Sequence, residues 1–528
     1  MPPGRRGAVN RVETNLIPMR GTAEPALASA RLWAIAAILA LAAITAAAIV
    51  LRFYDLAANP GVGLYGDEAA DGLDALKMLH QPGFHPDWLV WFQDDGGREA
   101  LFAYVVAGAF HFFGEGLLVL RGTAAAFGVA GVLAIGMLGR RFGTWTGVVA
   151  AAWAAGSLWL ICVSRDGMRN TIVPLFGALA LIALLRWAGR PSRGTAAMAG
   201  AVTAVAALYT YQPLKLLPVL VIVWLIWLRW ADRPRYDELR AGVVPFAAAF
   251  LIVGAPMLAV AVTNPVNYFG RATEVSPFNS AVVADTSLVG HVIRTLGMFG
   301  FVGDQNGRHD VAAMPLLPLP LVAVAAFGVA RLWRMRRDAG YALILLSLPV
   351  FLLPPLVATE GYSPHFLRVL GLAAPLGVTI GLGSAELVER ARGRWGPRAG
   401  GVAVSLVGVG LAAVAVWSGG AYLSRSTADR YETFSYQYAA MGQYAVDHPG
   451  SAVVIDVFSA TDIQFLYFHD QPAFFSPGTR IGNPGTYSTV VASSQSDLAK
   501  ALGSDTAARA KPVAWDPAGK PTVWAVSP

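Results

Sequence analysis

Residues 32–51 read LWAIAAILALAAITAAAIVL, a run of 20 residues without a charged side chain. A helix that crosses a membrane needs about 20 apolar residues. A polar segment follows, in which Gly66-Asp67-Glu68-Ala69-Ala70 places two acids shortly after this run. Acidic side chains close to lipid are unfavourable and usually serve a function. The sequence therefore predicts a membrane protein with a functional carboxylate at the membrane surface.

The composition of the whole chain agrees with the membrane class. The 528 residues are 55% hydrophobic and only 14% charged, with a mean hydropathy of +0.52, whereas a soluble domain has about 25% charged residues. The net charge of +7 comes from arginines in short loops, which is an orientation signal and not a nucleic-acid-binding face. Cys162 is the single cysteine, so no intrachain disulfide is expected.

Apolar runs recur along the chain and predict about 11 membrane spans. The polar residues 1–30 before them are interpreted as a disordered cytoplasmic tail. The first run is longer than the apolar region of about 7–15 residues in a signal peptide, which favours an uncleaved helix. The runs cover residues 32–51, 117–138, 144–163, 171–187, 195–210, 213–230, 241–262, 316–332, 340–358, 366–385 and 400–419.

Basic residues follow every second run, which predicts the orientation. Such loops face the cytoplasm by the positive-inside rule, so the long loop 53–116 and the other polar loops are expected outside, in a plasma membrane. An odd number of spans also places residues 420–528 outside. The basic loops carry Arg140 and Arg141; Arg186, Arg190 and Arg193; Arg229, Arg233, Arg235 and Arg240; Arg331, Arg334, Arg336 and Arg337; and Arg390, Arg392, Arg394 and Arg398.

The C-terminal residues 420–528 lose the long apolar runs and predict a small α/β domain. Strands are expected at Ala452–Phe458, Gln464–Phe468, Thr489–Ala492 and Pro521–Val526, and a helix at Ser494–Leu502. The predicted fold is thus an α-helical polytopic membrane protein, with a transmembrane domain over residues 31–419 and a C-terminal α/β extracytoplasmic domain. We expect that domain to serve acceptor recognition or shielding and not to be the catalytic centre.

The outer loops carry acids and cations that suit transfer chemistry on a lipid phosphate. An acid such as Asp67, with Glu68 beside it, can act as a general base, and basic side chains can hold a phosphate. Acids also favour a helix start for electrostatic reasons, and an arginine beside an acid can simply pair or snorkel. Convergence on one cavity at the outer leaflet predicts phosphate contacts by Arg165, Arg169, Lys215, Arg308 and Arg368, and candidate substrate contacts by Asp95, Arg98, Glu99, Tyr211, Asp304, His309 and His365.

Further patterns narrow the chemistry. Asp67, Asp71 and Asp74 are spaced to share one face of a helix. Residues 98–114 suit a helix lying along the membrane surface. The chain has no Cys/His metal spacing, no GxSxG and no Walker A motif, which argues against ATP hydrolysis. The need for a divalent metal stays open, and no cofactor is predicted with certainty.

Over residues 32–390 the chain resembles the GT-C membrane glycosyltransferases, the superfamily of protein O-mannosyltransferases and aminoarabinose transferases. The resemblance lies in Asp67-Glu68-Ala69, the segment 98–114, Leu120-Arg121 and Gly139-Arg140-Arg141-Phe142-Gly143. Bacterial members of unassigned substrate also resemble Ser164-Arg165 through Arg169, Tyr209-Thr210-Tyr211, Gly303-Asp304 with Arg308-His309, and Pro364-His365 with Arg368.

The resemblance implies a sugar donor carried on a polyprenyl phosphate, and a lipid, glycan or protein acceptor. It implies Asp67 as catalytic base and basic outer-loop residues as ligands of the donor phosphate. Lys215 stands where many relatives have arginine, which keeps the charge but loses bidentate geometry. Asp310 replaces an expected asparagine.

Two other interpretations compete with the transferase. A transporter or flippase of lipid-linked sugars would place charges within the spans and show paired broken helices or internal repeats, whereas this sequence has few charges within its spans and no convincing repeat. A membrane scaffold whose C-terminal domain binds a partner would leave the acids and cations of the outer loops unexplained.

Overall fold

A computed structural model describes residues 23–94, 97–279 and 286–528. The predicted tail, residues 1–30, lies outside the described residues up to position 22, and from Ala23 the chain is helical. The first half forms α1 (Ala23–Phe53), α2 (Gly66–His80), β1 (Trp91–Phe92), β2 (Arg98–Glu99), α3 (Leu101–Phe113), α4 (Leu117–Gly139), α5 (Thr144–Gly156), α6 (Leu158–Arg165), α7 (Val173–Gly189), α8 (Arg193–Leu208), α9 (Leu217–Ala231) and α10 (Arg233–Arg240).

The second half completes the membrane helices and adds a sheet. The membrane part continues with α11 (Val243–Thr263), α12 (Pro265–Glu274), α13 (Leu288–Gly297), α14 (Leu319–Arg334), α15 (Ala339–Val357), α16 (Phe366–Val369), α17 (Ala373–Trp395) and α18 (Pro397–Leu423). The C-terminal region forms α19 (Thr427–Thr433), α20 (Tyr436–Asp447), β3 (Ala452–Val454), α21 (Val457–Leu466), β4 (Ala473–Phe475), β5 (Val490–Ala492), α22 (Gln495–Leu502), α23 (Ser504–Ala507), β6 (Lys511–Trp515) and β7 (Pro521–Val526).

The membrane helices confirm the predicted polytopic class, with a smaller number of full-length spans. Among the described residues, eight helices are long and apolar enough to cross a membrane, or nine if α5 and α6, which meet at 59°, form one span. All eleven predicted runs coincide with helices. However, α8 and α14 have only 16 residues each, less than the roughly 20 that a bilayer requires.

Contacts between the two ends of the chain decide whether the number of crossings is odd or even. The polar helix α2 follows the first span, and α21 follows the last one. Tyr65, at the start of α2, meets Phe458 of α21 edge-to-face at 5.4 Å, and Phe465 of α21 packs in one apolar cluster with Leu73 of α2. Both segments therefore lie on the same side of the membrane, which requires an odd number of crossings. Nine spans, with the bent pair counted as one, satisfy this condition, and eight do not.

Arg169 and Lys215, on either side of α7 and α8, both lie beside Glu99, so the short helix α8 must cross together with α7. The contact between His309 and His365 gives the same result for α14 and α15, and the number of crossings becomes eleven.

The C-terminal sheet has the strand order β4-β3-β5-β7-β6. Strands β4, β3 and β5 are parallel to one another, and β7 runs antiparallel to both of its neighbours, β5 and β6. Side chains alternate across it: Val454 packs towards α22 and Val453 towards α20 and α21, as period-two geometry requires. The predicted strands near 452, 490 and 521 and the helix near 495 are present, which confirms the α/β character.

One predicted strand is wrong. Gln464–Phe468 falls largely in α21, because Asp456 caps that helix by accepting a hydrogen bond from Ser459 N at 2.9 Å. The helix is buried on two sides, with Ile463 towards the sheet and Phe465 towards α2. Such a doubly buried helix has the continuous apolar pattern of a buried strand. The same cap ends the first strand at Val454, and β4 and β6 were not predicted.

The segment predicted to lie along the membrane, residues 98–114, contains α3. Its buried face carries Phe102, Val106 and Phe110, and Phe112 and Phe113 are exposed. The helix is thus present, and its position relative to the lipid stays a prediction.

Candidate active site

The two acids at the start of α2 lie in different surroundings. Glu68 is fully buried, and its carboxylate accepts hydrogen bonds from Arg121 Nε at 2.6 Å, Arg121 Nη2 at 2.9 Å and Gly167 N at 3.0 Å. Asp67 is partly exposed and has no hydrogen bond or ion pair with any residue that the structure describes. Both acids are in the first turn of α2, where the helix dipole favours negative charge. Only Asp67 keeps its oxygens available for another molecule.

The next two acids of α2 are each paired with a cation. Asp71 accepts a hydrogen bond from Arg169 N at 2.9 Å and lies 3.4 Å from Arg169 Nη1. Asp74 accepts from Arg98 Nη2 at 2.7 Å. Burial raises the pKa of Asp71 to about 6, although the charge of Arg169 opposes the shift. The predicted acidic face therefore exists, with Asp67 as its open end.

Glu99 joins two of the predicted phosphate ligands. It is buried on β2, 3.7 Å from Arg169 Nε and 3.2 Å from Lys215 Nζ. Arg169 and Lys215 lie on short 3-10 turns at the ends of spans (Arg169–Ile172 and Gln212–Leu216). Their side chains remain 13% and 19% exposed. An ammonium has three donors, and the described residues provide Lys215 with one ion-pair partner, so it has capacity for a ligand.

Arg308 lies next to Tyr65 and Asp166. Its guanidinium stacks 3.6 Å from the ring centre of Tyr65, and its Nη1 is 3.9 Å from Asp166. Burial, together with the charge of Glu68, raises the pKa of Asp166 to about 8. The charge of Asp67 acts on Tyr65 and Asp166, so the acid and this cation belong to one site.

A residue of the C-terminal region also reaches this site, and the sequence interpretation missed it. Asp462 on α21 is buried, and its Oδ1 has no hydrogen-bond partner among the described residues. Burial, with the charge of Glu68 next, raises its pKa well above the usual range, and Arg308 opposes the shift. The only signal in the sequence was an acid in an apolar segment, because nothing there places residue 462 near residue 67.

The remaining polar loops form a separate buried cluster. Asp304 Oδ2 accepts hydrogen bonds from His309 Nδ1 at 3.0 Å and Phe366 N at 2.6 Å. The rings of His309 and His365 are 5.0 Å apart between centroids. Burial lowers the pKa of both histidines, with Asp304 opposing the shift for His309. The electrostatic effect of Asp67 extends to His309, so this cluster borders the site.

Two of the arginines predicted to bind phosphate donate their hydrogen bonds to backbone carbonyls instead. Arg165 is fully buried, and it donates to Leu51 O at 3.1 Å, Tyr54 O at 2.9 Å and Asn59 O at 2.8 Å. It therefore holds the C-terminal end of α1, whose last carbonyls have no partner in the helix. Arg368 donates to Ala358 O and Glu360 O, at 2.5 and 3.1 Å, within its own loop.

Tyr211 and Asp95 are the last two predicted substrate contacts. The ring of Tyr211 lies 5.6 Å from the Arg169 guanidinium. Asp95 lies outside the described residues, although Arg98 and Glu99, just after it, face α2 and the cations. The structure thus brings together Asp67, Arg98, Glu99, Arg169, Tyr211, Lys215 and Arg308, with the His309 cluster next to them.

No protein-family model matches the chain, and no curated protein sequence matches it. Solved structures do. The apo structure of ArnT from Cupriavidus metallidurans aligns with a TM-score of 0.58 at 16% identity, over 94% of this chain and 98% of that one. The structure of the same protein bound to undecaprenyl phosphate gives a TM-score of 0.57 at 17% identity, over 92% and 97%. At this identity the likeness establishes the fold alone, and the chain has the ArnT-like GT-C fold that the sequence resemblance implied.

Proposed function

We propose that the protein is an integral membrane glycosyltransferase. It transfers a sugar from a polyprenyl-phosphate donor to a lipid, glycan or protein acceptor at the outer face of the plasma membrane, with Asp67 as general base. The observation that carries the proposal is the position of Asp67. It is a carboxylate without a protein partner among the described residues, on the same helix face as two paired acids. Its charge acts on Arg169, and Lys215 and Arg308 lie beside neighbouring residues of the same site.

The proposed reaction uses these groups directly. Asp67 takes the proton of an acceptor hydroxyl as its oxygen forms a bond to the anomeric carbon of the sugar. The bond from that carbon to the phosphate oxygen breaks, and the lipid phosphate leaves with the electron pair. Arg169, Lys215 and Arg308 stabilise the negative charge that develops on this phosphate. The occurrence of undecaprenyl phosphate in the ArnT structure, on the same fold, supports this donor class.

The other residues of the prediction receive structural roles in this proposal. Glu68 holds Arg121 and the turn at Gly167, so it orients α2 and leaves the chemistry to Asp67. Arg165 and Arg368 use their guanidinium groups on backbone carbonyls, so they stabilise loops and do not bind phosphate. We also propose that residues 424–528, which follow α18, form the outer domain that closes the site through α21.

Transfer can be measured with purified full-length protein in liposomes. A panel of radiolabelled polyprenyl-phosphate sugars is supplied, and label is counted in lipid, glycan and protein fractions. We expect label in one acceptor fraction together with release of polyprenyl phosphate. Movement of intact donor across sealed vesicles without any transfer would instead identify a flippase and overturn the proposal.

The base assignment has a sharper test. Asp67→Asn keeps the side-chain volume and removes the basicity, and it should slow transfer by at least about 100-fold. Asp55→Asn is the matched control in the same loop, because Asp55 is exposed and has a φ of 55° that asparagine tolerates. Binding of undecaprenyl phosphate should be retained in both variants. A near wild-type rate for Asp67→Asn would refute the assignment.

A further inference from the structure

Three side chains of the last outer loops form a compact group with the composition of a metal site. Asp304 and His309 lie between α13 and α14, and His365 lies just before α16. One donor atom of each residue is within 4.8 Å of the donor atoms of the other two. The group is separate from the Asp67 carboxylate and from the cations assigned to the donor phosphate.

The hydrogen bonds of this group leave two imidazole nitrogens without a partner. His309 Nε2 and His365 Nδ1 are buried and accept or donate no hydrogen bond within the described part of the chain. A buried polar atom without a partner costs about 1–3 kcal/mol, so such atoms call for an explanation. At the same time, Asp304 holds His309 Nδ1 at 3.0 Å. A divalent ion bound to both of these atoms would replace the proton between them, and the unpartnered His365 Nδ1 would supply the third ligand atom.

We propose that Asp304, His309 and His365 bind one divalent transition-metal ion, such as Zn²⁺. Two imidazoles favour such an ion over Mg²⁺ or Ca²⁺, which prefer ligand sets made of oxygen. Zinc–nitrogen bonds of about 2.1 Å place two ligands of a tetrahedral ion roughly 3.4 Å apart. The donor atoms of the three residues lie within 4.8 Å of one another, and small rotations of the side chains would bring them to this spacing.

Neighbouring charges do not exclude a cation from this position. Arg308 is associated with Asp166 at 3.9 Å, and Arg368 is paired with Glu360 at 3.4 Å. The bound ion would fasten the loop that carries Arg308 to the loop that carries His365. Three protein ligands leave a fourth coordination position open. This proposal does not depend on the transferase assignment, because the ligands are distinct from the proposed base and phosphate contacts.

The chain supplies an internal control of the same composition. His80, Glu115 and His469 form an exposed group between the end of α2 and the C-terminal region. Both of these histidines already bond to Glu115, at 2.5 and 3.2 Å. A groove of about 580 Å³ adjoins them. Metal bound there would be lost in His469→Ala, whereas metal bound in the buried group would be retained.

The experiment uses full-length protein in detergent, purified through a tag that binds no metal. After removal of metal with a chelator, the protein is loaded with Zn²⁺ or Co²⁺ and desalted. We expect about one equivalent of zinc by elemental analysis, with visible absorption from Co²⁺ in a low-symmetry nitrogen site. His309→Ala and His365→Ala should lose this binding, Asp304→Asn should weaken it, and His469→Ala should leave it unchanged.

Two outcomes would overturn the proposal: no binding by the wild-type protein at micromolar Zn²⁺, or metal that persists in His309→Ala and His365→Ala but disappears in His469→Ala. If the buried-site variants do not fold, the double variant His80→Ala/His469→Ala removes the exposed group instead. One equivalent of Co²⁺ retained by that variant supports the buried site, and none refutes it.

Discussion

At the start of α2, adjacent carboxylates are assigned different roles because their partners differ. Arg121 and the Gly167 amide take up both oxygens of Glu68, while Asp67 remains open to the site. A buried ion pair adds little stability when intact, yet removal of one partner leaves an uncompensated charge. Substitution of Glu68 should therefore lower stability, whereas substitution of Asp67 should lower activity.

Glu68→Gln should lower the stability of the protein. The amide cannot accept from both Arg121 nitrogens, and a buried guanidinium left without its countercharge costs about 3–5 kcal/mol. Thermal unfolding followed by size-exclusion chromatography in detergent should show a reduced Tm, whereas Asp67→Asn should keep the wild-type Tm and lose activity. Equal Tm values for Glu68→Gln and wild type would contradict the structural role of Glu68.

Asp310 predicts a pH dependence of stability. Burial raises its pKa from 3.8 to about 8, and its Oδ2 has no partner among the described residues. The folded protein therefore retains a proton that the unfolded chain has released. Unfolding releases that proton, so stability decreases as the pH rises from about 4 to about 8 and then levels off.

Asp310→Asn removes this titration and keeps the size of the side chain. The Tm of the variant minus that of the wild type should increase between pH 5 and pH 8, because only the wild type loses stability there. Asp505→Asn, on the exposed surface of the C-terminal region, is the control and should give a constant difference. A constant difference for Asp310→Asn as well would show that Asp310 is ionised in the folded protein.

At the scale of elements, α21 connects the C-terminal sheet to the membrane part. Its Phe465 lies 6.3 Å from the ring of Phe110 in stacked orientation and packs beside Gly72 of α2. A Cβ at position 72 would approach the Phe465 ring to 2.5 Å, so a glycine permits this close packing. The same helix brings Asp462 to the site.

Phe465→Ala should loosen this connection. Loss of a buried phenyl ring costs about 3–5 kcal/mol. Because Phe465 packs against α2, this cost weakens the contact between α21 and α2. We expect a lower Tm and a slower transfer rate, together with faster proteolysis of the segment after α18. Val457→Ala on the same helix is the control, because Val457 is 76% exposed. An unchanged rate with α21 detached would show that the C-terminal region is dispensable for chemistry.

For the whole molecule, the contact between α2 and α21 places the first loop and the C-terminal region on one side of the membrane. The basic loops predict that this side is the outer one, by the positive-inside rule. A reporter enzyme that is active only outside the cytoplasm, fused after Pro528, should therefore be active. Fused instead after Arg336, in a loop with three further arginines nearby, it should be inactive.

Activity of a cytoplasmic reporter after Pro528, with no activity of the outer one, would contradict the orientation. Because α2 and α21 are in contact, such a result would invert the whole molecule and could not be explained by one miscounted span. It would also place Asp67 in the cytoplasm and remove the basis for an outer-face transferase.

The amino-acid sequence by itself determined the membrane class and the positions of the apolar helices, and it pointed to the first long polar loop as the place of the candidate acid. These features depend on local hydrophobicity and charge, which lipid and the positive-inside rule act on directly. The sequence also indicated the α/β character of the C-terminal region, since three of its strands have apolar residues between turn signals.

Only the tertiary structure decided which charged groups remain available. Arg165 and Arg169 are four positions apart, yet Arg165 holds the end of α1 and Arg169 faces Asp71. Asp462 reaches the site from almost four hundred residues away along the chain. A side chain becomes structural or functional through the partners that packing gives it, and those partners come from distant segments that no local pattern specifies.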